Sequence, residues 1–500
     1  MMSEIINEIR KGFYLDSVAL MRLSAEIAGL GGIEEAVLMI GTPANLQIMT
    51  DAGILNDTGA TASPNDLVIA LRADGKSSAN RALALAQKSL EGGALASSPA
   101  DTQPRTLRGA LAGNYSANLA LISTPGAYAG REARQALELG LNVMIFSDNV
   151  SIAQETSLKM QAREQGLLVM GPDCGTAYIN GVPLAFANAV APGSTGVIAA
   201  SGTGLQEFSV LLTRLGGGLK HGIGVGGRDL SNAVGAISTL TAIDLLAADD
   251  QVDQLVLISK PPGPATANVV FEKLASCGKP VIACVFGADA SSLPASINYA
   301  ATLREAAEMT TGNTLPADNP VHNAPELAAN LNSRQQKTLG LYTGGTLCTE
   351  AMLVLQKHGL SVSSNATASG DNTQAMHRII DLGADEYTIG RPHPMIEPAV
   401  RTPLLTDALN NSEIAIVLLD LVLGYGAHDN PVESIATAIA QVEDNGKADK
   451  PVVIASICGT ENDPQDYHQQ KEILLNAGVI ICDSNSDAAE LAAAVVKAIS

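Results

Sequence analysis

The sequence predicts an α/β protein in which most of the sheets are parallel. Strand-length apolar segments alternate with helix-length segments along most of its 500 residues, which is the pattern of repeated βαβ units. One element, an apolar strand followed by Gly-Thr and a helix, occurs twice. Apolar residues make up 46% and charged residues 16%, which excludes a disordered chain. Aromatic residues make up only 3%, so small aliphatic side chains must fill the cores.

Residues 1–113 have the pattern of a small N-terminal α/β domain that ends in a linker. The segment 17–28 has helical periodicity, whereas 35–40 and 68–74 are apolar segments of strand length. Ser, Pro and Asp are concentrated at 97–105, which we predict to be the linker.

Residues 114–195 begin with three strands that alternate with two helices and end in an irregular segment. Glycines close both helices, at the position where helices commonly end. Because strands joined through helices pair in parallel, this pattern predicts a Rossmann-like domain. The predicted strands are 118–124, 142–148 and 167–171, the helices are 126–140 and 151–166, and 172–195 is predicted to be irregular.

Residues 196–336 and 337–500 repeat one order of elements. Ser201–Glu207 reads Ser-Gly-Thr-Gly-Leu-Gln-Glu and Gly344–Glu350 reads Gly-Gly-Thr-Leu-Cys-Thr-Glu, and each directly follows an apolar strand. The later strands of the two halves also agree in their order and in the Lys-Pro pairs that precede them. We therefore predict two flavodoxin-like lobes, each with a parallel sheet.

Both Gly-Thr turns have the features of an anion site. A helix N-terminus offers unbonded N–H groups and about half a positive charge, and glycine lets an anion approach the backbone closely. The simpler alternative is a pair of ordinary helix caps, with Glu207 and Glu350 closing capping boxes. Two matching copies favour anion binding. The predicted phosphate-binding residues are Ser201, Gly202, Thr203, Gly204, Gly344, Gly345 and Thr346, and Glu207 is a predicted catalytic residue.

Arg391 and His393 form a second group of candidates, in the segment Gly-Arg-Pro-His-Pro at 390–394. The two prolines stiffen the backbone around the imidazole, and an arginine can bind a phosphate or carboxylate through two hydrogen bonds. We predict His393 as a catalytic residue and Arg391 as a substrate-binding residue. An ordinary polar surface loop is the alternative.

Two loops that follow predicted strands complete the candidates. Gly226 and Gly227 precede Arg228, which we predict as a catalytic residue facing a carboxylate substrate, and Pro172 and Asp173 follow a strand in the same way. Ligands of parallel sheets bind at such strand ends. A solvated turn or a helix cap would have the same sequence and is the alternative for each loop.

Charge and residue spacing exclude several classes of function. The net charge is -21 without a cluster of Lys and Arg, so no nucleic-acid partner is expected. None of the six cysteines has the spacing of zinc ligands, and we predict no metal site and a structural role for Cys174. Neither a signal-peptide core nor an apolar span of ~20 residues occurs, so we predict a cytoplasmic chain without membrane contact.

Five stretches carry a family resemblance, namely GLLVMGPDCGT (166–176), GVIAASGTGLQE (196–207), GIGVGGRDLS (222–231), LYTGGTLCTEA (341–351) and YTIGRPHPMIEP (387–398). They resemble the FdrA branch of the succinyl-CoA synthetase superfamily, over nearly the whole chain. The resemblance implies a CoA-binding-type domain at 114–195, a synthetase α-like ligase lobe at 196–336 and a β-like lobe at 337–500. In the synthetases two helix N-termini hold a phosphohistidine, and these helices match those that begin here at Ser201 and Thr343.

The sequence departs from the synthetases in two places. The loop that bears their phosphohistidine corresponds to 286–307, which contains no His, and the leading 113 residues are too few for an ATP-grasp domain. FdrA-type proteins resemble synthetases without the nucleotide-binding arm. The resemblance therefore implies an acyl-CoA synthetase-like protein that binds a diffusible acyl phosphate rather than forming a phosphoenzyme.

The resemblance also implies an activity and partners. Some FdrA-type proteins are similar to a subunit of an oxamate carbamoyltransferase of allantoin catabolism, which uses carbamoyl phosphate and needs other subunits. We accordingly expect an acyl phosphate, a carboxylate or amide substrate, a homo-oligomer and further subunits. The alternatives are an acyl-CoA ligase proper, for which CoA is the candidate cofactor, and a non-catalytic assembly subunit.

Overall fold

The computed structural model describes residues 4–13, 15, 17–95, 104, 106–113, 116–315, 323–366, 372–388, 393–444 and 450–499. The chain packs into two compact units, of which the first comprises Met1–Ser116 and Asp385–Glu397 and the second Ala117–Ala384 and Pro398–Ser500. The division into four domains stays a prediction. Among the described helices, none combines the length and the apolar character needed to cross a bilayer.

The first unit is built on a three-stranded antiparallel sheet. Its elements are β1 (Glu4–Arg10), α1 (Ser17–Ala28), β2 (Ile33–Ile40), α2 (Pro43–Asp51), β3 (Leu67–Ala73), α3 (Lys76–Leu95) and α4 (Leu107–Gly113). Strand β3 lies between β1 and β2. One face of the sheet packs on α1 and α3, and the other face packs on α2 through residues such as Met49 and Val68. The predicted linker at 97–105 lies, except for Pro104, outside the described residues.

The second unit begins with the predicted Rossmann-like arrangement. Its elements are β4 (Leu119–Ile122), α5 (Gly126–Glu138), β5 (Asn142–Ile145), α6 (Ile152–Glu164) and β6 (Val169–Met170). The three strands form a parallel sheet in the order β4-β5-β6. The alternation of strands and helices predicted from the sequence is confirmed here.

The segment 172–195 is not irregular as predicted, because it contains a β-hairpin. Its strands are β7 (Thr176–Ile179) and β8 (Val182–Ala185). Asn180 and Gly181 both have positive φ, the conformation that a two-residue hairpin turn requires. The Asn-Gly pair was therefore the available signal, whereas strands of four residues are too short for periodicity to reveal.

The hairpin joins the seven-stranded sheet of the first lobe. The further elements are β9 (Pro192–Ala199), α7 (Gly202–Arg214), β10 (Leu219–Gly224), α8 (Ile237–Ala248), β11 (Gln254–Ser259), α9 (Pro264–Ala275), β12 (Val281–Val285), β13 (Ile297–Tyr299), α10 (Leu303–Thr311) and α11 (Ala324–Ala329). The strand order is β13-β12-β11-β9-β10-β7-β8, and the first five strands are parallel.

The second lobe has a six-stranded parallel sheet in the order β15-β16-β14-β17-β18-β19, and its core strand order matches that of the first lobe. Its elements are β14 (Lys337–Tyr342), α12 (Gly345–Lys357), β15 (Val362–Ser363), β16 (His377–Asp381), α14 (Thr402–Asn410), β17 (Ile414–Val422), α15 (Glu433–Asp444), β18 (Val452–Cys458), α16 (Tyr467–Asn476), β19 (Ile480–Cys482) and α17 (Asn485–Ile499). The short helix α13 (Asp385–Thr388) lies between β16 and α14 in the chain but belongs to the first unit. When the edge strand β15 and the hairpin β7–β8 are left out, the five remaining strands of each lobe have the order 2-1-3-4-5 of flavodoxin-like folds, which confirms the predicted repeat.

Buried polar contacts fix the two lobes together. Asn188, which precedes β9, donates through Nδ2 to the carbonyl of Leu423 at 2.9 Å and to Asp463 Oδ2 at 2.7 Å. Gln206 of α7 donates to Asn188 Oδ1 at 3.1 Å. Since Asn188 and Gln206 are buried, these bonds hold α7 against the second lobe in a defined position.

Candidate functional site

The N-termini of α7 and α12 touch each other. Ser201 Oγ and Thr346 Oγ1 form a hydrogen bond between the two helix starts. A Cβ added to Gly344 would lie 3.0 Å from Thr203, and one added to Gly204 would lie 3.0 Å from Thr346 Cγ2. Glycine at both positions therefore permits the close approach. We call this contact, formed by residues 201–204 and 344–346, the helix junction.

Part of the helix junction reaches solvent. Ser201, Gly202, Thr203 and Gly345 are partly exposed, whereas the other predicted phosphate-binding residues, Gly204, Gly344 and Thr346, are buried. Ser201 also caps α7, because its Oγ accepts the N–H of Gly204 at 3.0 Å. The predicted roles of all seven residues in phosphate binding stay predictions.

The capping-box alternative fails for both turns. A capping box needs its Glu or Gln at the third helical residue, but that position holds Gly204 in α7 and Leu347 in α12. Glu207 and Glu350 both lie six residues after the cap and are buried. Their side chains therefore point into the protein, where they meet other partners.

The turn before α12 already holds a carboxylate of the protein. Asp420 of β17 is fully buried and accepts the N–H groups of Thr343 and Gly344, each at 2.7 Å. Burial raises the pKa of Asp420, and the buried guanidinium of Arg401, 2.9 Å away, opposes that rise. The matching place in the first lobe is occupied by Ile258, which pairs with Ala199 as β11 meets β9.

The two turns of the helix junction are consequently different. In the first lobe, no acceptor within the described residues receives the N–H groups of Gly202 and Thr203. In the second lobe, Asp420 neutralises the partial positive charge of the turn. At α12 the N–H groups of Gly345 and Thr346 also have no acceptor among the described residues. An anionic ligand would thus find unfilled donors at both helix starts, and at α12 it would also meet the charge of Asp420.

Two charged residues that we did not predict lie close to the helix junction. Lys260 directly follows β11, is exposed and forms no ion pair with the described part of the chain. Burial raises the pKa of the Cys348 thiol in the first turns of α12, and Lys260 is near enough to oppose that rise. Asp381 ends β16, and its Oδ2 would lie 2.5 Å from a Cβ added to Gly345. Lys260 and Asp381 lie at the carboxyl ends of β11 and β16, which pair with the central strands β9 and β14. Their position at these strand ends is the signal that could have identified them.

The loops at Pro172 and Gly226 come together beside the start of α7. A Cβ added to Gly226 would lie 2.4 Å from the carbonyl oxygen of Pro172, and one added to Gly227 would lie 4.0 Å from that of Ala200. Asp173, which is exposed, donates its N–H to the carbonyl of Ser147 at 3.0 Å. The substrate-binding roles of Pro172, Asp173, Gly226 and Gly227 stay predictions.

Arg228 has partners within the protein. Its Nη2 lies 2.9 Å from Glu155 Oε2 and donates to the carbonyl of Val150 at 2.7 Å. Glu155 in turn accepts from Lys159, which also binds Asp229 at 2.8 Å, and all three of these side chains are buried. Arg228 therefore closes a charge network between α6 and the loop after β10. Its catalytic role stays a prediction.

The remaining candidates lie away from the open part of the helix junction or in the other unit. Glu207 is fully buried and accepts the N–H of Asn485 at 3.1 Å. His393 belongs to the first unit, and burial lowers its pKa to about 4. Arg391 lies outside the described residues. The catalytic roles of Glu207 and His393 and the binding role of Arg391 stay predictions. Cys174 is buried and burial raises its pKa to about 12, as expected for a structural thiol.

Two parts of the chain match protein-family models. Residues 341–495 match the CoA-ligase family, and residues 2–105 match the family described as AllF, heavy metal-associated domain. The CoA-ligase match lies within the second lobe and includes α12.

The sequence is similar to known proteins over its whole length and over a part of it. It is 39% identical to the protein YahF of Escherichia coli K12, over 97% of each chain. Over 34% of this chain and 59% of the relative, it is 24% identical to succinate–CoA ligase [ADP-forming] subunit alpha 2 of Archaeoglobus fulgidus. The structure of a dinucleotide-forming acetyl-coenzyme A synthetase of Ca. Korarchaeum cryptofilum is 14% identical over 76% of this chain and 82% of its own, with a TM-score of 0.29.

The residues of the AllF-like part do not fit a heavy-metal site. Residues 2–105 contain neither Cys nor His. Soft transition metals are held by thiolate and imidazole ligands, and neither is available in this stretch. In the described parts of the chain, no three His, Cys, Asp or Glu side chains are grouped as metal ligands.

Arg401→Met tests the ionic support of the helix junction. The variant leaves the buried carboxylate of Asp420 without a counter-charge, so we expect the free energy of unfolding at pH 7 to fall by about 3–5 kcal/mol. Without Arg401 the pKa of Asp420 rises further, so protonation becomes easier and the deficit should shrink as the pH falls toward 5. Urea unfolding followed by circular dichroism measures both effects. The exposed Arg131→Met is the control, and a loss below about 1 kcal/mol would contradict this role.

Proposed function

The chain belongs to the FdrA family of succinyl-CoA synthetase-like proteins, and from that premise we propose that it is the acyl-phosphate-binding subunit of a carbamoyltransferase. The observation on which the proposal rests is the difference between the two turns of the helix junction. Both helix starts have unfilled N–H donors, but in the described part of the chain only the turn before α12 also holds a carboxylate of the protein. A site of this kind binds one phosphoryl group in one orientation.

The phosphoryl group of the ligand would lie at the start of α7. The N–H groups of Gly202 and Thr203 and the hydroxyl of Thr203 are donors on the exposed side of that turn. The helix dipole favours an anion there by roughly 0.3–1 kcal/mol, and Lys260 adds a full positive charge. This combination lets an acidic chain with a net charge of -21 bind a phosphate locally.

The acyl end of the ligand would lie toward Asp381. A carbamoyl group carries N–H donors that a carboxylate can accept, whereas an acetyl group carries none. Since Asp381 approaches Gly345 in the exposed part of the helix junction, its carboxylate favours carbamoyl phosphate over acetyl phosphate. The match of residues 2–105 to the AllF family model supports a role in allantoin breakdown.

The transfer would be direct. The nitrogen of the acceptor, oxamate in our proposal, forms a bond to the carbamoyl carbon while the bond from that carbon to the phosphate oxygen breaks. The proton of the nitrogen leaves with the inorganic phosphate. The α7 dipole and Lys260 stabilise the leaving phosphate, which develops charge in the transition state. The absence of His from 286–307 supports a path without a phosphohistidine.

An acyl-CoA ligase is the second candidate function. The match of residues 341–495 to the CoA-ligase family supports it. Calorimetry with CoA separates the two candidates, because a carbamoyltransferase subunit should give no binding heat with CoA, while saturable binding would favour the ligase.

Lys260→Met tests the carbamoyltransferase proposal directly. The expected result is a loss of about tenfold or more in affinity for carbamoyl phosphate, because a hydrogen bond to a charged group contributes about 1.5–3 kcal/mol. Calorimetry measures the affinity, and turnover of carbamoyl phosphate with oxamate, with and without candidate partner proteins, measures the activity. The exposed Lys357→Met, near the end of α12, is the control. Equal affinity and turnover in both variants would refute the site, and a purely assembling subunit would give that outcome.

Asp381→Asn tests the selectivity for a carbamoyl group. The substitution keeps the size of the side chain and an acceptor for the N–H of Gly383, but it removes the charge. Charge-assisted hydrogen bonds are roughly twice as strong as neutral ones, so the ratio of affinities for carbamoyl and acetyl phosphate should fall several-fold. Competition between the two ligands measures the ratio. If the ratio stayed at its wild-type value, Asp381 would have no part in selectivity.

A further inference from the structure

Asn485, the first residue of α17, joins the two helices of the helix junction from the inside. Its backbone N–H donates to Glu207 Oε1 of α7 at 3.1 Å, and its side-chain Nδ2 donates to Glu350 Oε2 of α12 at 2.7 Å. Glu350 Oε1 also accepts the N–H of Leu303, at 2.7 Å. One asparagine thus contacts a carboxyl group from each lobe, at the same position of the two matching helices.

The side-chain oxygen of Asn485 needs a donor. The residue is fully buried, and no donor in the described part of the chain reaches Oδ1. Rotating the Asn485 side-chain amide by 180°, so that its oxygen and nitrogen change places, does not provide the missing hydrogen bond. Nδ2 already donates to Glu350 and to the carbonyl of Leu347 at 3.0 Å, and an oxygen in its place would face two acceptors. A proton on one of the adjacent carboxyl groups would supply the donor.

The electrostatic surroundings favour such a proton. Burial raises the pKa of Glu207 and raises that of Glu350 to about 7, and each value is raised further by the nearby Asp487. Glu207 also raises the pKa of Glu350. Arg214 of α7 opposes the rise at Glu207, while Arg304 of α10 is already paired with Asp487 at 2.6 Å. The other titratable groups facing the pair are Cys458, Cys284 and Tyr342, whose own pKa values lie well above their ordinary ones because of burial, so they are neutral.

We propose that Glu207 and Glu350 share one proton at neutral pH, that this proton is donated to Asn485 Oδ1, and that Asn485 is thereby a positioning residue for both helix N-termini. Loss of the proton leaves two buried negative charges on either side of one amide. Their repulsion loosens the contact of α7 with α12 and weakens the anion site. This proton linkage goes beyond the proposed activity, since it holds for any anion that binds at the helix junction.

The direction of the pH effect follows from the raised pKa values. A carboxyl group whose folded pKa lies above its unfolded pKa stabilises the protein below the unfolded value, and this contribution is lost as the pH rises through the folded value. The wild-type chain should therefore lose stability as the pH rises from about 4.5, the ordinary value, to about 7, the raised value, and should change little from there to pH 8.

The experiment compares the full-length wild type with Glu207→Gln, Glu350→Gln and Asn485→Leu. Urea unfolding midpoints are measured across the same pH range, and infrared spectra at pH 7 detect a protonated carboxyl group. We expect the wild type to show the carboxylic acid band and a falling midpoint. The double variant Glu207→Gln/Glu350→Gln should lack the band, and each single Gln variant should give a flatter midpoint profile. The exposed Glu472→Gln is the control and should behave as the wild type does.

Binding of inorganic phosphate provides the functional measurement. In the wild type the affinity for phosphate should decrease several-fold as the pH rises from about 6 to about 8, through the pKa of about 7. The decrease should exceed the one measured in a Lys260→Met background. Asn485→Leu should bind phosphate weakly at every pH. A wild-type chain without the protonated band, or with a midpoint profile equal to that of Glu350→Gln, would overturn the proposal. The infrared band and the urea unfolding midpoint are measured without a ligand. They therefore test the shared proton even if the chain proves to have no carbamoyltransferase activity.

Discussion

The contact between the N-termini of α7 and α12 is the constraint on which the site depends. Two helix starts each present about half a positive charge, and their close approach through Gly204 and Gly344 is electrostatically unfavourable unless anions lie near. Asp420 supplies one such anion, at the turn before α12. Among the described residues, no carboxylate accepts from the turn before α7, so a bound anion would complete the compensation. We therefore expect an anion bound at this turn to stabilise the contact between the lobes.

The helix junction needs a rigid surrounding, and buried and partly buried polar groups provide it. Arg214 of α7 donates to the carbonyls of Ile457, Gly459 and Asp483, at the ends of β18 and β19. Asn188 and Gln206 form the hydrogen bonds that tie the start of β9 and α7 to the second lobe. A buried polar group is costly without a partner, so these hydrogen bonds favour this arrangement of the lobes over others. The two helix starts are held in position before any ligand arrives.

The first unit has the chain topology of a small α/β domain but not the side chains of a metal site. Its antiparallel sheet is covered on both faces by apolar contacts. The loop before α1 is tied by a carboxylate, because Asp66 Oδ1 accepts the N–H of Gly12 at 3.0 Å. Hydrogen bonds to Ser63 lower the pKa of Asp66, which keeps this carboxylate ionised. Protein contacts thus order a loop within residues 2–105, a stretch without Cys or His.

The sequence by itself determined the alternation of strands and helices, the two flavodoxin-like lobes and the matching Gly-Thr turns, because periodicity and strand-end glycines are local signals. It did not reveal the hairpin at 176–185, whose strands are too short for periodicity. Only the tertiary structure decided that the two turns differ, since Asp420 and Ile258 reach them from other strands. The same holds for Lys260, Asp381 and Asn485, which come from distant parts of the chain to lie near the first turns of α7 and α12. Which donors are filled depends on contacts across the sheet and between lobes, and no local pattern encodes those.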